Sequence, residues 1–209
     1  MEPHGGQRIV RAGTPLDKSG RVVIMVHGRG AGPENILDLV PALEHPEFTY
    51  LAPAAANNTW YPYSFLADTA KNEPGLSSAL SVLGDLVDDL VGKGIPKTRI
   101  VLLGFSQGGC LSSEFAVRHA DRFGGVIAFS GGLIGPPGTA WNHPGSFAGT
   151  PVFLGCSDID PHIPAQRVEE SADVFGRMGA AVTRRLYPGM GHLVNDDEMA
   201  FARTLLAGV

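Results

Sequence analysis

Apolar and polar residues alternate in blocks along this chain rather than one by one. Short, mostly apolar runs rich in β-branched residues stand at Val22–Val26, Thr49–Ala52, Arg99–Phe105, Gly125–Phe129, Val152–Gly155 and Ala181–Tyr187. Runs of that length and composition predict strands buried on both faces. Longer stretches with helical spacing lie between them, near Glu34–Glu44, Leu76–Gly92, Gly108–His119, Ala165–Met178 and Asp196–Ala207. The clearest is 76–92, where Leu76, Leu80, Leu83, Val87 and Leu90 share one face and Asp85, Asp88 and Asp89 lie opposite. Those aspartates read as a solvated face, not a metal site. Strands alternating with helices predict a mostly parallel sheet covered by helices on both faces, in one α/β domain over 1–209. The polar, Gly-rich segment 1–20 is expected at its periphery.

One junction in this pattern carries chemistry. The apolar run Ile100-Val101-Leu102-Leu103 passes directly into Gly104-Phe105-Ser106-Gln107-Gly108-Gly109, and a helical pattern follows. With 28 Gly among 209 residues the Gly-x-Ser-x-Gly string means little alone. Its place between strand and helix is what reads as a nucleophile elbow, with the Ser106 hydroxyl pushed out at the corner.

A serine hydroxyl needs a base to act as a nucleophile at neutral pH, and the base needs an orienting acid. Two aspartates, Asp158 and Asp160, follow the run at 152–155. His192 follows the run at 181–187 in a loop of small residues, Gly189-Met190-Gly191. The chain order Ser, Asp, His is that of α/β-hydrolases. His162, in the acid loop, is a minor competitor for the base. His4 is expected in a frayed terminus, and His27 is expected to tie down its turn by hydrogen bonds. Donors for a tetrahedral oxyanion are expected from the Gln107 backbone N–H and from the loop His27-Gly28-Arg29-Gly30, with Arg29 acting through its amide. The Arg29 guanidinium could still favour a substrate with a carboxylate or phosphate, or simply be solvated. Two long connections, Pro53–Gly75 and Gly131–Thr150, follow strands at the end where ligands bind. Trp60, Tyr61, Phe65, Leu133, Ile134 and Trp141 are their candidates for an acyl pocket, Trp60 and Tyr61 foremost.

Composition narrows the field. A net charge of −5 with no basic run argues against nucleic acid or anionic membrane as a partner. Cys110 and Cys156, isolated in apolar segments, read as buried free thiols. No Cys/His spacing suggests a metal, and the chemistry calls for no cofactor. Met1–Ser19 has no apolar core, so neither a signal peptide nor an integral membrane anchor is expected, and a cytoplasmic location follows by default.

The chain resembles the phospholipase/carboxylesterase family, small α/β-hydrolases that include acyl-protein thioesterases and bacterial carboxylesterases. Gly-Phe-Ser-Gln-Gly-Gly at 104–109, His-Gly-Arg-Gly at 27–30, Trp60-Tyr61-Pro62, Asp-Pro-His-Ile-Pro at 160–164 and Gly-Met-Gly-His at 189–192 carry the likeness. It implies a single-domain α/β-hydrolase fold without a cap domain, and a triad of Ser106, Asp160 and His192 with oxyanion amides on Arg29 and Gln107. The Asp-x-x-Ile-Pro match favours Asp160 over Asp158. Cys156-Ser157 stands where many members have His-Gly, a departure expected to alter loop packing and not the chemistry. The Arg29 form of the oxyanion loop resembles bacterial carboxylesterases more than the thioesterases of higher cells. The expected activity is hydrolysis of small-molecule carboxylic esters with short to medium acyl chains through an acyl-enzyme. Its rivals are an acyl thioesterase or lysophospholipase, a dienelactone-hydrolase-like enzyme, disfavoured because that chemistry usually takes a cysteine at the elbow, and a non-catalytic binding protein. A homodimer is left open.

Overall fold

Seven strands form one sheet in the computed structural model, which describes residues 2–209. They are β1 (Ile9–Gly13), β2 (Val22–Val26), β3 (Thr49–Pro53), β4 (Ile100–Phe105), β5 (Gly125–Phe129), β6 (Pro151–Ser157) and β7 (Ala181–Tyr187). Across the sheet they run β1-β3-β2-β4-β5-β6-β7. β1 is antiparallel to β3, and every other pairing is parallel. The helices are α1 (Leu16–Ser19), α2 (Pro33–Leu37), α3 (Val40–Leu43), α4 (Gly75–Gly92), α5 (Gln107–Arg118), α6 (Ala165–Arg177) and α7 (Asp196–Ala207).

Side chains of successive strand residues point to opposite faces, so each run of buried residues supplies two cores. Val22, Ile24, Val26, Leu102 and Val126 pack with α4, α5 and α6 on one face. Val23, Met25, Val101, Leu103 and Ile127 pack with α2, α3 and α7 on the other. The apolar stripe of α4 is buried throughout, from Leu76 to Leu90. Among the described residues, no helix is long and apolar enough to cross a membrane.

The structure departs from the sequence reading in three places. The segment read as peripheral supplies β1, whose residues alternate between exposed and half-buried at the sheet edge. The helix expected over 34–44 is two short ones, because Pro41 has no N–H to give to the Leu37 carbonyl and its ring would clash there. His4, expected to be frayed, is buried. Its Nε2 donates to the Trp60 carbonyl at 2.8 Å and its Nδ1 accepts the Ala56 N–H at 3.1 Å. Burial, partly offset by the backbone bond to Trp60, lowers its pKa and favours that neutral ring.

Candidate active site

The corner between β4 and α5 holds Ser106 at φ 56° and ψ −121°, a region L residues rarely occupy. Two glycines permit the turn. A Cβ on Gly104 would lie 2.2 Å from the Gly108 carbonyl oxygen, and one on Gly108 would lie 2.0 Å from that of Val26. The Ser106 N–H is held by the Phe129 carbonyl at 2.9 Å, and the hydroxyl faces out beyond the strand ends.

The loops after β6 and β7 meet over that hydroxyl. His192 Nε2 lies 2.8 Å from Ser106 Oγ, and His192 Nδ1 lies 2.7 Å from Asp160 Oδ2. A carboxylate only accepts, so Nδ1 carries the ring proton and Nε2 presents a lone pair to the serine. The Asp160 side chain is fully buried, and its Oδ1 accepts the N–H groups of His162 and Ile163 at 2.8 and 3.0 Å. Burial pushes its pKa up, but the bonds from His192 and the two amides outweigh this and hold it below the usual carboxylate value. The Cys156 thiol adds a fourth donor, 3.6 Å from Oδ2. The structure therefore brings Ser106, Asp160 and His192 together. His162 stands aside, its ring edge-on to His192.

The residues that departed from the family pattern serve this junction. Ser157 Oγ accepts the N–H groups of Gly191 at 3.0 Å and Ile159 at 3.3 Å, joining the base loop to the acid loop. Asp158 Oδ1 accepts the Gly189 N–H at 2.8 Å, so the second aspartate supports the histidine loop instead of the ring. Ser157→Ala removes both acceptors offered by the hydroxyl. It is expected to cost about 1 kcal/mol in urea unfolding and to lower kcat several-fold with little change in KM.

Beyond His192 the chain enters α7 through a capping box between Asn195 and Glu198. Glu198 is fully buried, with Oε2 accepting the Asn195 N–H and Oε1 unpartnered against Gly155. Burial raises its pKa from 4.5 to about 7. A raised folded value makes its contribution to stability largest below pH 4.5, falling as pH climbs to about 7. Glu198→Gln has no charge to bury, so it is expected to exceed the parent by roughly 2–4 kcal/mol at pH 8 and to match it near pH 4. Urea titrations at both values check this. A pH-independent difference would show that ionisation of Glu198 is not its cause.

On the other side of the serine, the N–H groups of Arg29 and Gln107 have no acceptor among the described residues. Their loops are fastened from behind. Gly30 N–H bonds to the Asn58 carbonyl at 2.7 Å, and Trp60 Nε1–H to the His27 carbonyl at 3.0 Å. The Gln107 side chain bridges the Trp60 N–H and the Tyr61 carbonyl. His27 is buried, accepting the Ala55 N–H at Nε2 and donating from Nδ1 to the Gly28 carbonyl, and burial lowers its pKa. Sequence reasoning assigned the Gln107 side chain no part, because the elbow motif asks only for its amide.

A cavity of about 460 Å³ opens beside Ser106 and His192. Tyr61 and Phe65 line it, as the sequence suggested. Trp60, Leu133, Ile134 and Trp141 do not: Trp60 packs behind the oxyanion loop against His4 and His27, Ile134 is buried with its N–H on Glu114, and Leu133 and Trp141 are buried in the core on that face. Cys110 and Ile163 join them, buried at the inner end, while Arg29, Asn35 and Tyr63 form the outer rim. A larger groove of about 940 Å³ runs along 11–20 and 93–95, at the amino ends of the parallel strands and away from these groups.

A family model described as Phospholipase/Carboxylesterase matches residues 7–209. Acyl-protein thioesterase 1 of Eremothecium gossypii is 31% identical over 185 residues, covering 79% of this chain and 77% of that protein. The crystal structure of a phospholipase/carboxylesterase from Dyadobacter fermentans superposes with a TM-score of 0.94 at 40% identity, covering 99% of both chains. The Bacillus cereus carboxylesterase shares the fold, with a TM-score of 0.73 at 19% identity over 97% of this chain and 94% of that one.

Proposed function

From the premise that this chain belongs to the phospholipase/carboxylesterase family and is an α/β-hydrolase-fold hydrolase, we propose that it cleaves carboxylic esters with short to medium acyl chains through a Ser106 acyl-enzyme. One observation carries the reading: Ser106, His192 and Asp160 form a continuous hydrogen-bonded chain at a cavity also lined by Arg29 and Gln107, whose N–H groups lack acceptors among the described residues. As Ser106 Oγ attacks the ester carbonyl, His192 Nε2 takes its proton, and Asp160 holds the imidazolium that forms. The Arg29 and Gln107 amides receive the negative oxygen of the tetrahedral intermediate. When that intermediate collapses, His192 returns the proton to the departing alcohol. A water activated by the same ring then releases the acid and frees the serine. No cofactor takes part.

The cavity supports modest chain length, since about 460 Å³ lies in the lower part of the range for small-molecule sites. A panel of para-nitrophenyl esters of graded length tests this. Turnover is expected to peak at short or medium chains, and a rise towards long chains would refute the size limit. The Eremothecium gossypii relative is named a thioesterase, which favours thioesters as a second substrate class. Acyl thioesters of matched length, assayed beside the esters, decide between the leaving groups.

A further inference from the structure

Arg29 places a fixed positive charge on the cavity rim. Its guanidinium donates from Nη1 to the Pro62 carbonyl at 2.8 Å and from Nη2 to the Tyr63 carbonyl at 2.6 Å. Its Cζ lies 5.9 Å from the centre of the Tyr61 ring. These contacts orient the fork without neutralising it, because carbonyls and a ring carry no net charge. Among the described residues, Arg29 has no carboxylate within ion-pair distance; Arg11, Arg21, Arg99, Arg122 and Arg177 have none either, but of these six only Arg29 lines the cavity that holds Ser106. A guanidinium has five N–H donors and two are used, so three remain for a ligand. The cavity lining contains neither Asp nor Glu, in a chain whose net charge is −5. The cation is thus unpaired and oriented in an otherwise acid-free wall that it shares with Ser106.

We propose that the substrate is an ester bearing a carboxylate, which the Arg29 guanidinium binds on the cavity rim. This rests on the hydrolase reading above and names the substrate class for it. The Arg29 amide is the proposed oxyanion donor, so the carboxylate lies within one arginine side chain's length of the scissile carbonyl. Planar, two-pronged donation suits a carboxylate better than the point charge of a lysine would. Arg29 is exposed, so the preference is expected to be about tenfold, not many orders of magnitude.

The experiment compares kcat/KM for matched esters with and without the acid. Mono-para-nitrophenyl adipate against para-nitrophenyl hexanoate places it in the acyl part. The butanoyl ester of 4-hydroxybenzoate, against the same ester with its carboxylate methylated, places it in the alcohol part. The parent is expected to favour the acidic member of at least one pair by about tenfold, and the favoured pair locates the carboxylate. Arg29→Gln should bring that ratio to about one, and Arg29→Lys should keep part of it. The parent's preference should also shrink as salt rises from about 20 mM to about 0.5 M, a readout that needs no variant. If Arg29 merely clamps the 62–63 segment, Arg29→Gln slows both members in parallel and the ratio stands, which overturns the proposal. So does a parent that disfavours the acidic member of both pairs. Failure on every ester, acidic and neutral alike, would instead strike at the hydrolase reading, whereas turnover of the neutral members without preference for the acidic ones strikes only at the carboxylate.

Discussion

Ser106→Ala is expected to lower ester turnover by about a millionfold, the loss typical of removing a nucleophile that works in concert with its base. A fluorophosphonate, which labels an activated serine covalently, should mark the parent once and the variant not at all. Folding should be nearly unchanged. The hydroxyl is half-exposed and contacts only His192, and alanine meets the same positive φ that serine does. Matched thermal melts with turnover kept above a tenth would show that another group attacks the ester.

Asp160→Asn is the second large effect, and the structure specifies its cause. The two amides on Oδ1 oblige the asparagine to keep its carbonyl there. Its NH₂ then faces His192 Nδ1, which must accept, and the ring proton moves to Nε2. That nitrogen can no longer take the Ser106 proton. A wrong tautomer of this kind cost about 10⁴ in the serine-protease precedent, and a similar loss is expected here. Asp158→Asn keeps an acceptor for the Gly189 N–H and should cost only a few-fold. A greater loss at 158 than at 160 would reverse the assignment of the acid.

Much of this was legible in the sequence for a physical reason. Strands buried on both faces must be apolar at almost every position, so β2, β4 and β5 stand out as runs. The chemistry announces itself where a glycine-flanked serine follows such a run. What escaped was held by partners far along the chain. β1 alternates between solvent and a half-buried edge and so leaves no run. Trp60 looked like a pocket wall because it is large and apolar, but its indole N–H is committed to the carbonyl of His27. Ser157 is one more small residue in a loop until Gly191, 34 positions on, is seen to lean on it.

His4 sits behind this machinery, braced between Trp60 and Ser78. A tag placed directly ahead of His4 is therefore a poor choice, and cutting the chain at or beyond His4 is no harmless tidying. Whatever displaces His4 loosens the tryptophan on which the Arg29 loop rests. A preparation damaged in this way would keep most of its packing, because Trp60 is one member of a large core on that face and the other face is untouched, yet turn over poorly. Such a preparation could be discarded as an inactive enzyme when only its handling was at fault.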